Sequence, residues 1–384
     1  MKFEFATATR IVFGAGAATG IGQEAAALGR RAFVLTGASP ERAHPLLRRL
    51  ENHHVMHAEF RVEEEPTTAL VMDAVREAGA RGCDLVIGIG GGSVLDAGKA
   101  VAALLANGGD LIQYLEVIGE GRPLQRLCAP YIAVPTTAGT GSEVTRNAVL
   151  VSPSHKVKVS MRSPFMLPRL ALVDPEMTYS MPPSLTAATG LDALTQVLEA
   201  FVSRNANPLT DGICREGLGR AARSLLRAFE NGKDRQARED MSLASLCGGL
   251  ALANAKLGAV HGIAGPFGGM FRAPHGAVCG RLLPFVAAVT IGALRERDPG
   301  SFAIGRFQEA ARIFTGDPEA SAEDGAEWLQ ALCGRLEIPA LSTYGFSAEY
   351  STDLIAKSIR SSSMAGHPVD LTASELETIL ERAT

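Results

Sequence analysis

Three side chains of types that commonly bind divalent metal ions stand in apolar surroundings in the second half of the chain. His261 and His275 lie 14 residues apart, and each is followed by glycine. Asp192 lies early in an Ala/Leu-rich segment, and a carboxylate among apolar neighbours needs a charged partner. One aspartate and two histidines form a ligand set for a divalent metal with open coordination positions. The structural alternatives are satisfied core histidines and an aspartate that caps a helix.

The residues around this set refine the prediction. Gln196 follows Asp192 by four residues, so both face the same side of a helix. The Gln196 amide oxygen could act as a weak ligand or orient a water molecule. The other histidines lie in polar contexts without partners at ligand spacing, and we interpret them as surface residues: His44, His53, His54, His57, His155 and His367.

A glycine-rich turn in the first half has the composition of a phosphate-binding site. Gly90, Gly91, Gly92 and Ser93 follow a continuous apolar run and precede a helix-like segment. Backbone N–H groups and the helix dipole converge at such a turn, and glycine lets a diphosphate approach closely. A tight turn without a ligand needs fewer than three consecutive glycines, so we favour the diphosphate interpretation.

Two further loops bear on a dinucleotide cofactor. Residues 135–145 follow the next strand-like run and interleave hydroxyl side chains with glycine, at the strand end where ligands bind in open α/β sheets. Gly37 and Ser39 stand where an acidic residue would hold the ribose 2′-hydroxyl and repel a 2′-phosphate. Their small size, with Arg42 close by, favours NADP over NAD.

Composition restricts the class of protein. The chain has 384 residues, of which 46% are hydrophobic, and its formal charge is −4, so we expect two domains and neither nucleic-acid nor membrane partners. The six cysteines show no paired spacing, and the first residues lack the apolar run of a signal peptide. These features predict reduced thiols and a cytoplasmic location. The apolar stretch 282–294 is too short to span a bilayer.

The pattern of elements changes along the chain. Apolar strand-like runs alternate with helix-like segments in the first half and predict a doubly wound parallel sheet. They are residues 32–36, 84–90, 131–134 and 170–173. After the proline pair at 182–183, Ala/Leu-rich segments with helical periodicity dominate. We therefore predict a dinucleotide-binding α/β domain over 1–182 and an all-α metal and substrate domain over 183–384, packed around one cleft.

Several long motifs in a fixed order resemble the iron-containing (group III) alcohol dehydrogenases and their relatives, the glycerol dehydrogenases and maleylacetate reductases. The motifs are GGGSVLDAGKA at 90–100, PTTAGTGSEVT at 135–145, TAATGLDALTQVLEAFVS at 186–203 and VHGIAGPFGGMFRAPHG at 260–276. The resemblance covers nearly the whole chain. It implies a Rossmann-like N-terminal domain with a helical C-terminal domain, the fold shared with dehydroquinate synthase. It also implies NAD(P)-dependent conversion of small alcohols, with a divalent metal, by a homodimer or larger homo-oligomer.

The resemblance also implies site roles, position by position. Asp192, His261 and His275 match three metal ligands of the family, and Lys158 matches a lysine that contacts the cofactor ribose. Residues 90–93 match the diphosphate-binding turn. The other positions implied to line the cofactor site are Gly37, Ser39, Asp96, Thr136, Thr137, Thr140 and Ser142.

Two departures from the family pattern leave alternatives open. Iron-using members usually have histidine at the positions of Gln196 and Gly265. Glycerol dehydrogenases, which bind zinc, are similar to this chain in offering one Asp and two His. Zinc and iron are therefore both candidates. Maleylacetate reductases lack the full ligand set, so a metal-independent reductase is the first alternative. A dehydroquinate-synthase-like lyase ranks lower, because the metal-side motif offers Arg272 alone to grasp a phosphorylated sugar acid.

Overall fold

The computed structural model describes residues 2–155 and 157–384. Contacts divide the chain into two compact units. An α/β unit comprises Ala6–Thr137 and Gly141–Tyr179, and a helical unit comprises Ser180–Thr384 with residues 2–5 and the short segment Ala138–Thr140.

The α/β unit is built on a parallel sheet. Its strands are β1 (Ile11–Phe13), β2 (Arg31–Thr36), β3 (Met56–Arg61), β4 (Leu85–Gly90), β5 (Tyr131–Pro135), β6 (Asn147–Ser152), β7 (Val157–Arg162) and β8 (Leu170–Val173). Six of them form a sheet in the order β1-β8-β5-β4-β2-β3, with every pair parallel. The strands β6 and β7 pair with each other as an antiparallel hairpin.

Helices cover both faces of the sheet. They are α1 (Ile21–Ala26), α2 (His44–Asn52), α3 (Thr68–Ala80) and α4 (Gly92–Asn107). Successive residues of β2 show the two layers, because Phe33 packs in the core with α3 and α4 whereas Val34 packs in the core with α1 and α2. A strand buried on both faces is apolar throughout, which is why β2, β4, β5 and β8 could be predicted. The doubly wound sheet confirms the predicted fold class.

The second unit is helical, as predicted. Its helices are α5 (Pro183–Val202), α6 (Pro208–Glu230), α7 (Arg235–Ala255), α8 (Ala259–Met270), α9 (His275–Arg297), α10 (Phe302–Thr315), α11 (Ala322–Arg335), α12 (Ser351–Ile359) and α13 (Ala373–Ala383). Helix α5 is buried along most of its length and contacts α6, α7 and α9. Polar side chains on α5 therefore lie in the interior and must find partners there.

Helix α9 corrects one expectation from the sequence. It runs for 23 residues, well beyond the apolar stretch 282–294 that we expected to be too short for a bilayer. By length and composition it could cross a membrane, but 72% of its most apolar window is buried inside the protein. The pair α7 and α8 passes the same test only if joined across a bend of 98°. Core helices of soluble proteins give this same pattern.

Candidate metal centre and coenzyme loops

Helix α5 carries three polar side chains along one buried face. Asp192, Gln196 and Glu199 are 3%, 3% and 5% exposed, and their spacings of four and three residues place them on successive turns of the same side. Burial of such groups is unfavourable unless each is paired. Their partners come from α8, α9 and the segment 138–140.

His261, in the first turn of α8, is held at both ring nitrogens. Its Nδ1 donates to Glu199 Oε2 at 2.7 Å, and its Nε2 lies 3.3 Å from Asp192 Oδ1. Glu199 Oε1 also accepts the Val260 N–H at 2.6 Å, so this carboxylate joins α5 to the start of α8. Burial by itself would lower the pKa of His261, but the neighbouring Cys279, Asp192 and Glu199 outweigh it and hold the pKa well above its usual value.

Helix α9 brings two more donor atoms to the same point. His275 Nε2 lies 3.9 Å from Asp192 Oδ1 and 3.6 Å from the Sγ of Cys279, one turn later on the helix. The ligand atoms of Asp192, His261, His275 and Cys279 all lie within 4.8 Å of one another. The structure thus brings together the three sequence-predicted ligands and adds a thiol to them.

Two glycines permit the close approach of α9 to α5. A Cβ atom on Gly276 would lie 2.2 Å from the Ala188 carbonyl oxygen, and one on Gly280 would lie 2.5 Å from Leu191 Cδ1. Backbone therefore excludes a side chain at Gly276, and one at Gly280 would displace Leu191. Gly276 directly follows His275, and Gly280 directly follows Cys279. The tight packing therefore sets how close these two donor groups lie to α5.

The donor set fits a divalent metal. Tetrahedral coordination with bonds of about 2.0–2.3 Å separates ligand atoms by about 3.3–3.7 Å. The two imidazole nitrogens lie 3.3 and 3.9 Å from Asp192 Oδ1, close to that spacing. Burial would raise the pKa of Asp192, but the hydrogen bond from His261 and the charge of His275 lower it overall. The carboxyl group is thus held as a carboxylate, the form that binds metal.

Gln196 forms its hydrogen bonds through its amide nitrogen. Its Nε2 donates to the carbonyl oxygen of Gly139 at 3.1 Å, and the amide also hydrogen-bonds to Asp192. Its Oε1 lies beside Gly248 of α7. That oxygen is buried and has no hydrogen-bond partner among the described residues.

In the α/β unit, the glycine-rich turn lies between a strand and a helix, as the motif predicts. Strand β4 ends at Gly90, Gly91 is the N-cap, and α4 begins at Gly92 without a side-chain cap. The N–H groups of the first helical turn have no intrahelical partner. Residues 91–93 are half-buried. This is the geometry of an anion site at a helix N-terminus.

Neighbouring strand ends meet at this turn. The Thr136 N–H donates to the Gly90 carbonyl at 2.9 Å, and a Cβ atom on Gly91 would lie 3.3 Å from the Thr137 side chain. Gly37, after β2, would place a Cβ atom 3.7 Å from a side chain in the first turn of α4. The loops after three parallel strands are therefore adjacent.

Both carboxylate oxygens of Asp96 bind other groups of the protein. Its Oδ1 accepts from Ser142 Oγ at 2.5 Å and pairs with the buried Lys99 Nζ at 3.0 Å, while its Oδ2 accepts the Val149 N–H at 2.9 Å. These contacts tie α4 to the hydroxyl-rich loop and to the hairpin. Asp96 and Ser142 thus position the loop that carries the threonines.

The remaining coenzyme positions are spread through the sequence. Lys158, on β7, pairs with Glu65 at 2.5 Å. Ser39 is half-buried and precedes the short turn Pro40–Arg42. Thr140 is half-buried in the segment that groups with the helical unit.

Sequence reasoning missed two side chains of this site, one beside the metal cluster and one within it. Glu199 lies seven residues after Asp192, and Cys279 lies four residues after His275. Both spacings return to the same helix face, so they could have been found by tracing each helix face from its predicted ligand.

His367 was predicted to lie on the surface, and this prediction is wrong. Its side chain is buried, with Nδ1 accepting the Ala259 N–H at 3.2 Å and Nε2 donating to Thr290 Oγ1 at 3.0 Å. Burial lowers the pKa of His367 to about 4. The neutral ring therefore braces the start of α8, two residues before His261.

Comparison with known proteins identifies the family. The model of the iron-containing alcohol dehydrogenases matches residues 8–175, and that of the C-terminal part of the Fe-containing alcohol dehydrogenase family matches residues 186–384. The chain belongs to the iron-containing alcohol dehydrogenase family. It is accordingly an alcohol oxidoreductase, and members of this family use NAD(P) with a divalent metal on small alcohols and their carbonyl products.

Individual relatives agree with this assignment. The chain is 35% identical to alcohol dehydrogenase 4 of Schizosaccharomyces pombe over 323 residues, 84% of this chain and 74% of that protein. It is 31% identical to choline dehydrogenase of Bacillus subtilis over 98% of this chain and 94% of that one. A crystal structure of a 1,3-propanediol oxidoreductase matches over all of both chains with a TM-score of 0.91 and 32% identity. The alcohols in these names differ, so family membership leaves the substrate open.

Proposed function

We propose that this protein interconverts a small alcohol and its aldehyde or ketone, with Asp192, His261 and His275 as metal ligands and NADP as the preferred coenzyme. We propose further that residues 1–182 bind the dinucleotide and that residues 183–384 hold the metal and the substrate. The observation that carries the proposal is the convergence of one carboxylate oxygen and two imidazole nitrogens within 4.8 Å of one another.

Each residue of the cluster has a distinct part in this proposal. Glu199 holds the proton of His261 on Nδ1, which leaves the lone pair of Nε2 available for a cation. Asp192 contributes the negative charge. A divalent metal bound by these groups supplies Lewis acidity, which polarises a carbonyl or lowers the pKa of an alcohol. Gly265 has open space around it and no side chain to carry a proton, so the proton exchanges with water or with the ribose hydroxyls of the coenzyme.

The coenzyme proposal rests on the glycine-rich turn. The free N–H groups at the start of α4 suit a diphosphate, and Gly91 leaves the backbone accessible to it. The half-buried loop after β2 offers Gly37 and Ser39 where a carboxylate would exclude a 2′-phosphate. We therefore expect kcat/KM to be higher with NADPH than with NADH.

Gly37→Asp tests the coenzyme preference. The new Cβ atom makes only an ordinary van der Waals contact, so the fold should be retained, while the added charge repels the 2′-phosphate. We expect kcat/KM for NADPH to fall at least tenfold, whereas the value for NADH is unchanged or higher. Gly79→Asp, which adds the same charge in open space on α3, is the control and should alter neither value. An equal loss with both coenzymes would contradict the assignment.

A carbonyl screen tests the activity itself. Purified protein is incubated with NADPH or NADH and a series of small aldehydes and ketones, with and without prior treatment by a strong chelator. We expect coenzyme oxidation that chelation abolishes and added metal restores. Failure of every carbonyl with both coenzymes would refute the reaction. Activity that survives exhaustive chelation would instead support the metal-independent reductase.

The ligand assignment has a separate test in metal content. His275→Ala removes one of the three proposed ligands and should lower the bound metal, measured by elemental analysis, to a small fraction of the wild-type value. His53→Ala, at an exposed histidine on the surface, is the matched control and should retain the metal. Equal metal content in both variants would refute the ligand set.

We also propose a cytoplasmic location and a homodimer or larger assembly. All six cysteines are unpaired, as in proteins of reducing compartments, and the family resemblance supports the assembly. Light scattering on the eluted protein measures its mass directly, and a monomeric mass at micromolar concentration would contradict the assembly.

A further inference from the structure

The Cys279 thiol is the member of the cluster whose role the three-ligand proposal leaves unexplained. It is fully buried, and its Sγ lies 3.6 Å from His275 Nε2 and 3.9 Å from His261 Nε2. Tetrahedral zinc with nitrogen and sulfur bonds of about 2.0 and 2.3 Å separates these atoms by about 3.5 Å. The sulfur is thus at ligand spacing from both imidazoles.

The position of the thiol is enforced by the backbone. Cys279 follows His275 by one turn of α9, so the two side chains project to the same side. Gly280, the next residue, packs against Leu191 with no room for a side chain. The contact of Gly280 with Leu191 therefore fixes how close Cys279 lies to α5.

Gln196 does not compete for the same role. Its Nε2 donates to Gly139, and its amide also hydrogen-bonds to Asp192. The amide nitrogen is thus engaged by these two acceptors, while the amide oxygen lies beside Gly248 of α7. Gln196 acts here as a positioning residue that holds Asp192.

We propose that Cys279 is the fourth protein ligand of the metal centre, bound as a thiolate, and that it makes the site select zinc over iron. This inference rests on the proposed function, because it assumes that Asp192, His261 and His275 hold a divalent metal. When the metal binds, the S–H bond is broken, the sulfur becomes a ligand, and the proton passes to solvent. A soft thiolate donor favours zinc, whereas harder donor sets accept iron.

Cobalt(II) substitution separates this inference from the proposed function. Visible d–d absorption reports whether cobalt occupies the site at all, and a near-ultraviolet band from sulfur-to-cobalt charge transfer reports a thiolate ligand. We expect both signals in the wild type. In Cys279→Ala, the charge-transfer band should disappear while visible absorption remains at saturating cobalt.

A matched variant completes this experiment. Cys247→Ala removes another buried cysteine of the helical unit and should keep both signals. A charge-transfer band that persists in Cys279→Ala, or is absent from a wild type with visible cobalt bands, would overturn the thiolate assignment alone. A wild type without any cobalt bands would overturn the metal centre and the thiolate together.

X-ray absorption of the zinc-loaded wild type needs no variant, so this test remains available even if Cys279→Ala fails to fold. We expect one sulfur neighbour at about 2.3 Å among nitrogen and oxygen neighbours at about 2.0–2.1 Å. A zinc shell without sulfur would overturn the proposal.

Metal selectivity gives the final readout. Cys279→Asp exchanges a soft donor for a hard one of similar length, so the ratio of zinc to iron(II) affinity should fall roughly tenfold. Competition with a chelator of known affinity measures both constants. An unchanged ratio would show that the thiol does not select the metal.

Discussion

Single residues of the metal centre depend on partners that lie outside the set of proposed ligands. Glu199 is the main case, because it accepts from His261 Nδ1 and from the Val260 N–H. It thereby fixes both the ring and the backbone that carries it. Carboxylates in this position orient a metal-binding imidazole and raise its basicity.

Glu199→Gln isolates the charge of this carboxylate. The amide keeps an acceptor for Val260 but loses the negative charge, so metal affinity should fall about 10- to 100-fold. Titration against a competing chelator measures the change. Glu230→Gln, on the exposed end of α6, is the control, and equal affinities in the two variants would contradict the role of Glu199.

The buried His367 should make the free energy of unfolding depend on pH. Its pKa is lowered by burial to about 4, below the value of about 6.5 for an exposed histidine. A lowered pKa in the folded state means that the neutral ring stabilises the fold above pH 6.5. This stabilisation is lost as the pH falls toward 4. The charged groups that also act on this ring are Glu199, Arg204, Asp370 and Glu375.

His367→Asn removes the titration while keeping an acceptor near the Ala259 N–H. Between pH 7 and pH 5 the wild type should lose roughly 2 kcal/mol of unfolding free energy more than the variant. Denaturant unfolding at both pH values measures the difference. Parallel losses in the two proteins would show that His367 does not titrate in this range.

At the scale of elements, the metal centre depends on how closely α9 packs against α5. Gly276 lies in this contact, because a Cβ atom there would meet the Ala188 carbonyl at 2.2 Å. Gly292, on the same helix, has nothing within 4 Å. The two glycines therefore offer a contrast between close packing and open space within one helix.

Gly276→Ala should separate the helices and disturb the cluster. Overpacking of this kind destabilises by about 1–3 kcal/mol, and we expect metal affinity to fall with it. Gly292→Ala should instead stabilise the protein by roughly 0.5–1 kcal/mol, since alanine is the better helix former. Thermal unfolding with metal titration measures both effects. A stable Gly276→Ala variant with unchanged metal affinity would contradict the packing argument.

The elements that could be predicted are those with a strong apolar signal. Strands β4, β5 and β8 are buried on both faces and are apolar throughout, and α5 begins at the predicted proline pair. The edge strand β3 went unpredicted because half of its side chains are exposed, and the hairpin β6–β7 because buried residues alternate with partly exposed ones. Such short alternating patterns do not stand out from loops.

At the scale of the whole molecule, the sequence motifs predicted the family, and the sequence patterns predicted an α/β part followed by a helical part. The metal cluster required tertiary structure, because Asp192 and Cys279 are 87 residues apart in sequence and meet only through packing of α5 on α9. The burial of His367 likewise depends on α8 and α9, which no local pattern near residue 367 indicates.

Metal binding should stabilise the folded protein as a whole. A ligand present at 1,000 times its dissociation constant contributes about 4 kcal/mol to unfolding free energy. The wild type should therefore melt several degrees higher with zinc than after chelation, whereas Asp192→Ala should melt at the same temperature in both conditions. An equal shift in Asp192→Ala would place the stabilising metal elsewhere.

The most direct test of the metal centre is a titration that measures bound metal and NADPH-dependent aldehyde reduction in the same samples. Metal-free enzyme is loaded stepwise, and the rate is plotted against metal bound per chain. We predict a straight line through the origin for the wild type, and neither binding nor turnover for Asp192→Ala. Full turnover at zero bound metal, or an active Asp192→Ala variant, would contradict it.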